Sequence, residues 1–181
     1  MSNVVAALAY GTVMVQLSLL LGFLVFLGQK AGLELESRYL DELEALLKER
    51  YRELIFLQAL VATSGSLYMS NILGWTPCRL CWFQRIAVYP LVVLAGASVV
   101  LGKTDVEDYV MPLAMLGIPV SVYHYMVQRV SQFHSAGCSV FSVSCSTEYT
   151  FYFGYINIPM MALTALVTIL VLSWKFSSTE S

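Results

Sequence analysis

The chain has 181 residues, of which 58% are hydrophobic and only 12% charged, with a mean hydropathy of +0.71. A soluble domain carries about 25% charged residues, so this composition excludes an ordinary water-soluble core and points to a membrane protein. The formal net charge is −2 and no basic patch stands out, which argues against a nucleic-acid partner.

The first apolar block runs from about Val4 to Leu27. Blocks near 20 residues are long enough to cross a bilayer, and in lipid the backbone must pair within its own segment, so such blocks read as helices. No Lys or Arg precedes this one and it is longer than a signal core, so a retained span is expected rather than a cleaved leader. The stretch Gln29–Glu53 follows. Leu33, Leu40, Leu43, Leu47 and Leu54 recur there at helical spacing with charges on the other face, which predicts an amphipathic helix packed on the bundle or lying on the membrane surface.

The second block runs from about Leu54 to Trp75 and is the least apolar, holding Gln58, Thr63, Ser64, Ser66 and Ser70. Small and hydroxyl residues of this kind suit close helix packing. Trp82–Leu101 forms the third block and Tyr109–Gln128 the fourth, which contains Pro112 and Pro119 and is expected to kink. The fifth runs from Ile158 to Trp174, ahead of a short polar tail.

Cys78 and Cys81 end the second block, and Cys138 and Cys145 lie two spans later in the connector 129–157, so parity puts all four on one side. Seven of the ten Lys and Arg residues fall on the opposite side: Lys30, Arg38, Lys48, Arg50, Arg52, Lys103 and Lys175. Arg79, Arg85 and Arg129 share the cysteine side. The positive-inside tendency therefore turns the cysteines outward. Trp75, Trp82 and Trp174 fall at expected helix ends, where aromatic belts form.

The chemistry resides in these cysteines. Cys78-Arg79-Leu80-Cys81 has the two-residue spacing that permits a readily exchanged disulfide, and a nearby cation favours the thiolate that exchange requires. Arg85 stands four residues after Cys81, one helical turn on and on the same face. A charge inside an apolar span is costly and usually functional, although snorkelling to the headgroups is the plainer alternative. His124 is expected at about the same depth as Arg85. It is either part of the site or a hydrogen-bonded buried histidine, while His134 in the outer loop reads as solvated. Zinc ligation and purely structural disulfides remain alternatives for the four cysteines.

At these residues the sequence resembles the DsbB-type disulfide oxidoreductases, particularly the BdbC-like branch. The likeness rests on Trp75-Thr76-Pro77-Cys78-Arg79-Leu80-Cys81-Trp82-Phe83-Gln84-Arg85-Ile86 with Tyr89-Pro90, on Tyr123-His124-Tyr125 followed by Cys138 and Cys145, and on Gly154-Tyr155-Ile156-Asn157-Ile158-Pro159. It covers roughly two thirds of the chain.

The resemblance implies an all-α membrane protein with a four-helix bundle over 54–176. Residues 1–53 add a transmembrane helix and the amphipathic helix, and 177–181 form the tail. It further implies a multi-pass protein of the cell membrane and an electron path. Cys138 would form the mixed disulfide with an extracytoplasmic thioredoxin-fold, DsbA-like oxidase. Cys145 would exchange with Cys78, and Cys81 would face a membrane quinone, ubiquinone or menaquinone. Arg85 and His124 match the family's quinone-site residues. Vitamin K epoxide reductase-like enzymes also couple cysteines to a quinone, but their active pair lies in a later helix.

Overall fold

A computed structural model of the protein describes residues 2–31, 38–102, 107–130 and 144–177. Their regular structure is helical: α1 (Asn3–Lys30), α2 (Arg38–Leu67) with a π-helical turn (Tyr68–Ile72), α3 (Arg79–Leu101), α4 (Glu107–Arg129) and α5 (Ile158–Ser177). Among the described residues four helices are long and apolar enough to cross a membrane: α1, α3, α4 from Asp108, and α5. The chain is a multi-pass all-α membrane protein. α2 is more polar than these four, yet it packs along both α3 and α5.

The expected amphipathic helix and second span are one element. α2 continues through residues 53 and 54 without a break. Its buried face coincides only in part with the leucine stripe. Leu47, Tyr51, Ile55 and Ala59, spaced by four, turn inward, whereas Leu43 is exposed and Leu33 lies outside the described residues. The leucine stripe overlaps this face at Leu47, and Tyr51 and Ile55 complete it because they fill the space against Leu91, Leu166, Ile169 and Phe176.

Around the bundle each helix meets its neighbours in the order α2, α3, α4, α5, with α2 closing against α5. Gly117 on α4 permits the tightest approach. A Cβ there would fall 2.9 Å from the Ala87 Cβ on α3 and 2.8 Å from Leu166 Cδ1 on α5. Pro112 and Pro119 both lie within α4, which remains one helical element. α1 packs outside this ring, against α5, with its N-terminal end capped by the Ser2 hydroxyl accepting from the Val4 amide.

Candidate active site

The site begins where α2 changes register. A π turn slips the hydrogen-bond ladder by one residue and often marks functional positions. Here it follows Leu67, and the Ser66 carbonyl beside it accepts from two side chains, Arg85 Nη2 at 3.3 Å and Ser70 Oγ at 3.2 Å. The backbone is then irregular through residues 74–78, and Thr76 precedes a proline, which disfavours helix. The second helix therefore stops short of Trp75.

Cys78 is the N-cap of α3, in extended conformation, and its Sγ accepts from the Cys81 amide at 3.4 Å. The Cys78 thiol points at the Cys81 sulfur, 3.3 Å away. Cys145 is buried with them, beside Val127 and Leu80, so the fold gathers three of the four cysteines into one cluster. Cys138 and His134 lie outside the described residues. Immediately ahead of the α3 span, the Cys78 thiol is pushed up to about 11. The hydrogen bond to Cys81 is the main cause and burial the next, opposed by the hydrogen bond with His124.

His124 is fully buried on α4, and its Nε2 lies 3.6 Å from Cys78 Sγ. The surrounding hydrogen bonds fix its tautomer. The Gly117 carbonyl only accepts, so the Ser121 hydroxyl donates to it at 2.9 Å. The Ser121 oxygen therefore accepts from Gln84 Nε2 at 3.0 Å, which turns Gln84 Oε1 toward His124 Nδ1 at 3.1 Å. Nδ1 carries the proton, and Nε2 presents a lone pair toward Cys78 and toward the Gln128 amide at 3.5 Å. Gln128 also donates to the Thr147 carbonyl at 3.1 Å and accepts from Asn157 Nδ2 at 2.8 Å, while Asn157 Oδ1 caps α5 through the Met160 amide. The cysteine loop, the end of α4 and the start of α5 are thereby tied to one histidine.

On the other side of the thiols lies a cavity of about 120 Å³. This is several times the 10–15 Å³ needed for one water. Cys81, Arg85, Gln84 and Ser66 contribute polar atoms to a largely apolar lining that includes Val61, Ala162 and Ala165. Arg85 Nε donates to Ser66 Oγ at 3.1 Å, and its guanidinium lies over the Trp82 ring at 5.3 Å and the Tyr89 ring at 5.9 Å. No carboxylate pairs with it among the described residues, so its charge is held in place by neutral groups at the cavity wall. Tyr149 stacks on Trp75 with centroids 5.2 Å apart and donates to the Thr76 carbonyl at 3.2 Å, which joins the Cys145 loop to the cavity wall.

Cys81 and Arg85 thus face the same space, as their spacing suggests. His124 does not line it, and its ring contacts Cys78 instead. Gln128, Asn157, Ser121 and Ser66 complete the site. Their sequence signal was weak, since polar residues in an apolar span suit packing as well as function. Cys78, Cys81 and His124 also offer three ligand atoms within 4.8 Å of one another, one fewer than the usual tetrahedral zinc set.

A family model described as "Disulfide bond formation protein DsbB" matches residues 48–176. "Disulfide bond formation protein C" of Bacillus subtilis is 44% identical over 113 residues, covering 62% of this chain and 82% of that protein. "Probable disulfide formation protein" of Oceanobacillus iheyensis is 46% identical over 123 residues, 66% of this chain and 83% of its own length. "Probable disulfide formation protein C 1" of Bacillus anthracis is 43% identical over 114 residues, with shares of 63% and 82%. No solved structure matches at a significant level.

Proposed function

The chain belongs to the DsbB family of disulfide bond formation proteins, and from that premise we propose that this membrane disulfide oxidoreductase reoxidises an extracytoplasmic thioredoxin-fold dithiol and delivers the electrons to a membrane quinone. The observation that carries the reading is the shared cavity: the Cys81 thiol and the Arg85 guanidinium line one apolar space, with the Cys78 sulfur 3.3 Å behind Cys81.

The cavity fits a quinone in chemistry. Its apolar lining suits a ring from the lipid phase, and Arg85 supplies the fixed positive charge that steadies negative charge developing on a carbonyl oxygen. A bound quinone would supply the two-electron, two-proton oxidation that the Cys78–Cys81 dithiol requires. The remaining chemistry belongs to the chain. A thiolate of the reduced partner attacks the Cys138–Cys145 disulfide at Cys138, releasing the Cys145 thiolate, and the partner's second thiol displaces Cys138 as the partner disulfide closes. Cys145 then attacks Cys78 of the Cys78–Cys81 disulfide, releasing the Cys81 thiolate, and Cys138 resolves the new bond. The Cys138–Cys145 disulfide is restored, and Cys78 and Cys81 hold the two electrons.

Re-forming the Cys78–Cys81 bond requires the Cys78 proton to leave. His124 Nε2, held as an acceptor by Gln84, Ser121 and Gly117 and 3.6 Å from Cys78 Sγ, is the base placed to take it once the S–H turns from Cys81 toward the imidazole. The excess of Lys and Arg at the opposite end supports an outward-facing site in the cell membrane.

The test is turnover by the purified protein with a reduced thioredoxin-fold partner and a decyl-tailed benzoquinone, followed by quinone absorbance. Wild type turns over and Cys81→Ser does not. Equal turnover in Cys81→Ser would overturn the assignment. A second reading, metal handling, draws on the Cys78–Cys81–His124 donor set. It requires a stoichiometric metal in the purified protein that disappears in Cys78→Ser.

A further inference from the structure

α1 lies wholly outside the residues that match the family, yet it reaches the site. Among the described residues, its buried positions lie in its N-terminal half. Val5 and Ala9 are fully buried, and the polar contacts fall on the same half. The Ser2 and Tyr68 hydroxyls lie 2.8 Å apart, Gln16 Nε2 donates to Thr164 Oγ1 at 2.8 Å, and Tyr155 donates to Gln16 Oε1 at 2.9 Å. The Tyr10 ring meets Phe153 edge-on, with centroids 5.1 Å apart. Phe153 has φ 53°, a left-handed conformation uncommon for a bulky side chain, so this contact braces a strained turn. Beyond Gln16 the helix exposes Leu17, Leu20, Leu21 and Phe23, as a lipid-facing helix would.

The docked half places one side chain at the cavity. Leu8 lines it together with Cys81 and Arg85, and its Cδ1 comes within 3.0 Å of where a Gly65 Cβ would stand. Gly65 is on α2, and Ile158, Met161, Ala162 and Ala165 on α5 line the same space. Leu8 therefore closes the cavity where α2 and α5 meet. Interhelical hydrogen bonds set the register of packed membrane helices, so the four fixed contacts hold Leu8 at that seam.

We propose that α1 is a built-in wall of the acceptor site, with Leu8 determining which quinone the cavity admits by packing against its ring substituents or the first part of its isoprenoid tail. This inference rests on the quinone reading above. Equilibrium binding of a radiolabelled decyl-tailed benzoquinone to the purified, full-length protein tests it without turnover. Leu8→Trp, which pushes a larger side chain into the cavity, weakens binding by about tenfold. Leu17→Trp, on the exposed face, leaves it unchanged. In unaltered protein, a benzoquinone carrying an azide on its tail labels the peptide containing Leu8, and excess unlabelled quinone suppresses that label.

Wild-type affinity in Leu8→Trp, or photolabel absent from α1 while present on α3 or α5, overturns the proposal and leaves the quinone reading intact. Absence of any quinone binding to wild type overturns both. If Leu8→Trp does not fold, the photolabel on the unaltered protein decides.

Discussion

Replacing His124 by Ala removes the base that stands beside Cys78 among the described residues, and the structure sets the size of the effect. Cys78 lies at about 11 and is therefore protonated at neutral pH, when the dithiol must lose that proton to close. A positioned base contributes about 10²- to 10⁴-fold, so His124→Ala should slow oxidation of the reduced Cys78–Cys81 pair by about that factor. The pH dependence supplies the sign. Without an internal acceptor the reaction follows the Cys78 thiolate fraction, which rises about tenfold per pH unit below its pKa. The variant should gain about a hundredfold between pH 7 and 9, while wild type, with its own acceptor, should rise far less. Gln84→Leu should act in the same direction, since Nδ1 loses the acceptor that fixes the tautomer. The assay is single-turnover mixing of reduced protein with decyl-tailed benzoquinone, after a melting scan to account for the cost of leaving buried polar groups unpaired, about 1–3 kcal/mol. If His124→Ala matches wild type in rate and pH slope, the proton route through this histidine is refuted.

Ser66→Ala removes the hydroxyl that accepts from both Arg85 and Tyr89. Losing hydrogen bonds of about 1 kcal/mol each should raise the apparent quinone KM about fivefold or more without unfolding the protein, and an unchanged KM would show that Arg85 does not depend on that anchor. Gly117→Ala should cost about 1–3 kcal/mol by overpacking against the Ala87 Cβ and Leu166 Cδ1, read as a lower melting temperature in detergent. Trp75→Ala dissolves the ring stack with Tyr149 and should make Cys145 react faster with a bulky maleimide. In the reduced protein, alkylation of Cys78 by iodoacetamide should climb steeply toward pH 11, and a plateau near pH 8 would contradict its hydrogen-bonded, buried setting.

Helix content, membrane class and the cysteine motif were legible in the sequence because each is a local property. Apolar block length decides whether a segment can span lipid, and a four-residue step puts Arg85 one turn above Cys81 whatever else the chain does. The amphipathic stretch shows where local reasoning stops. Periodicity indicated a helix there, but the leucine stripe identified its buried face only in part, at Leu47, because the rest depends on which neighbours need filling. Tyr51 and Ile55 take the inner side and Leu43 stays exposed.

The surroundings of the thiols belong to the tertiary structure. His124 stands 46 residues from Cys78, Gln84 stands 40 from His124, and Ser66 is 19 from Arg85. No periodicity in one segment encodes which lone pair on another will face it. The packing at Gly117 and the bonds radiating from Gln84 made that choice, turning an ambiguous histidine into the partner of Cys78. Likewise, the sequence of α1 determines that it is apolar and long enough to enter a membrane. Only its docking against Thr164, Tyr155 and Phe153 brings Leu8 to the cavity, because a helix in lipid gains little from apolar contact alone and is fixed by the directional bonds and close packing its neighbours provide.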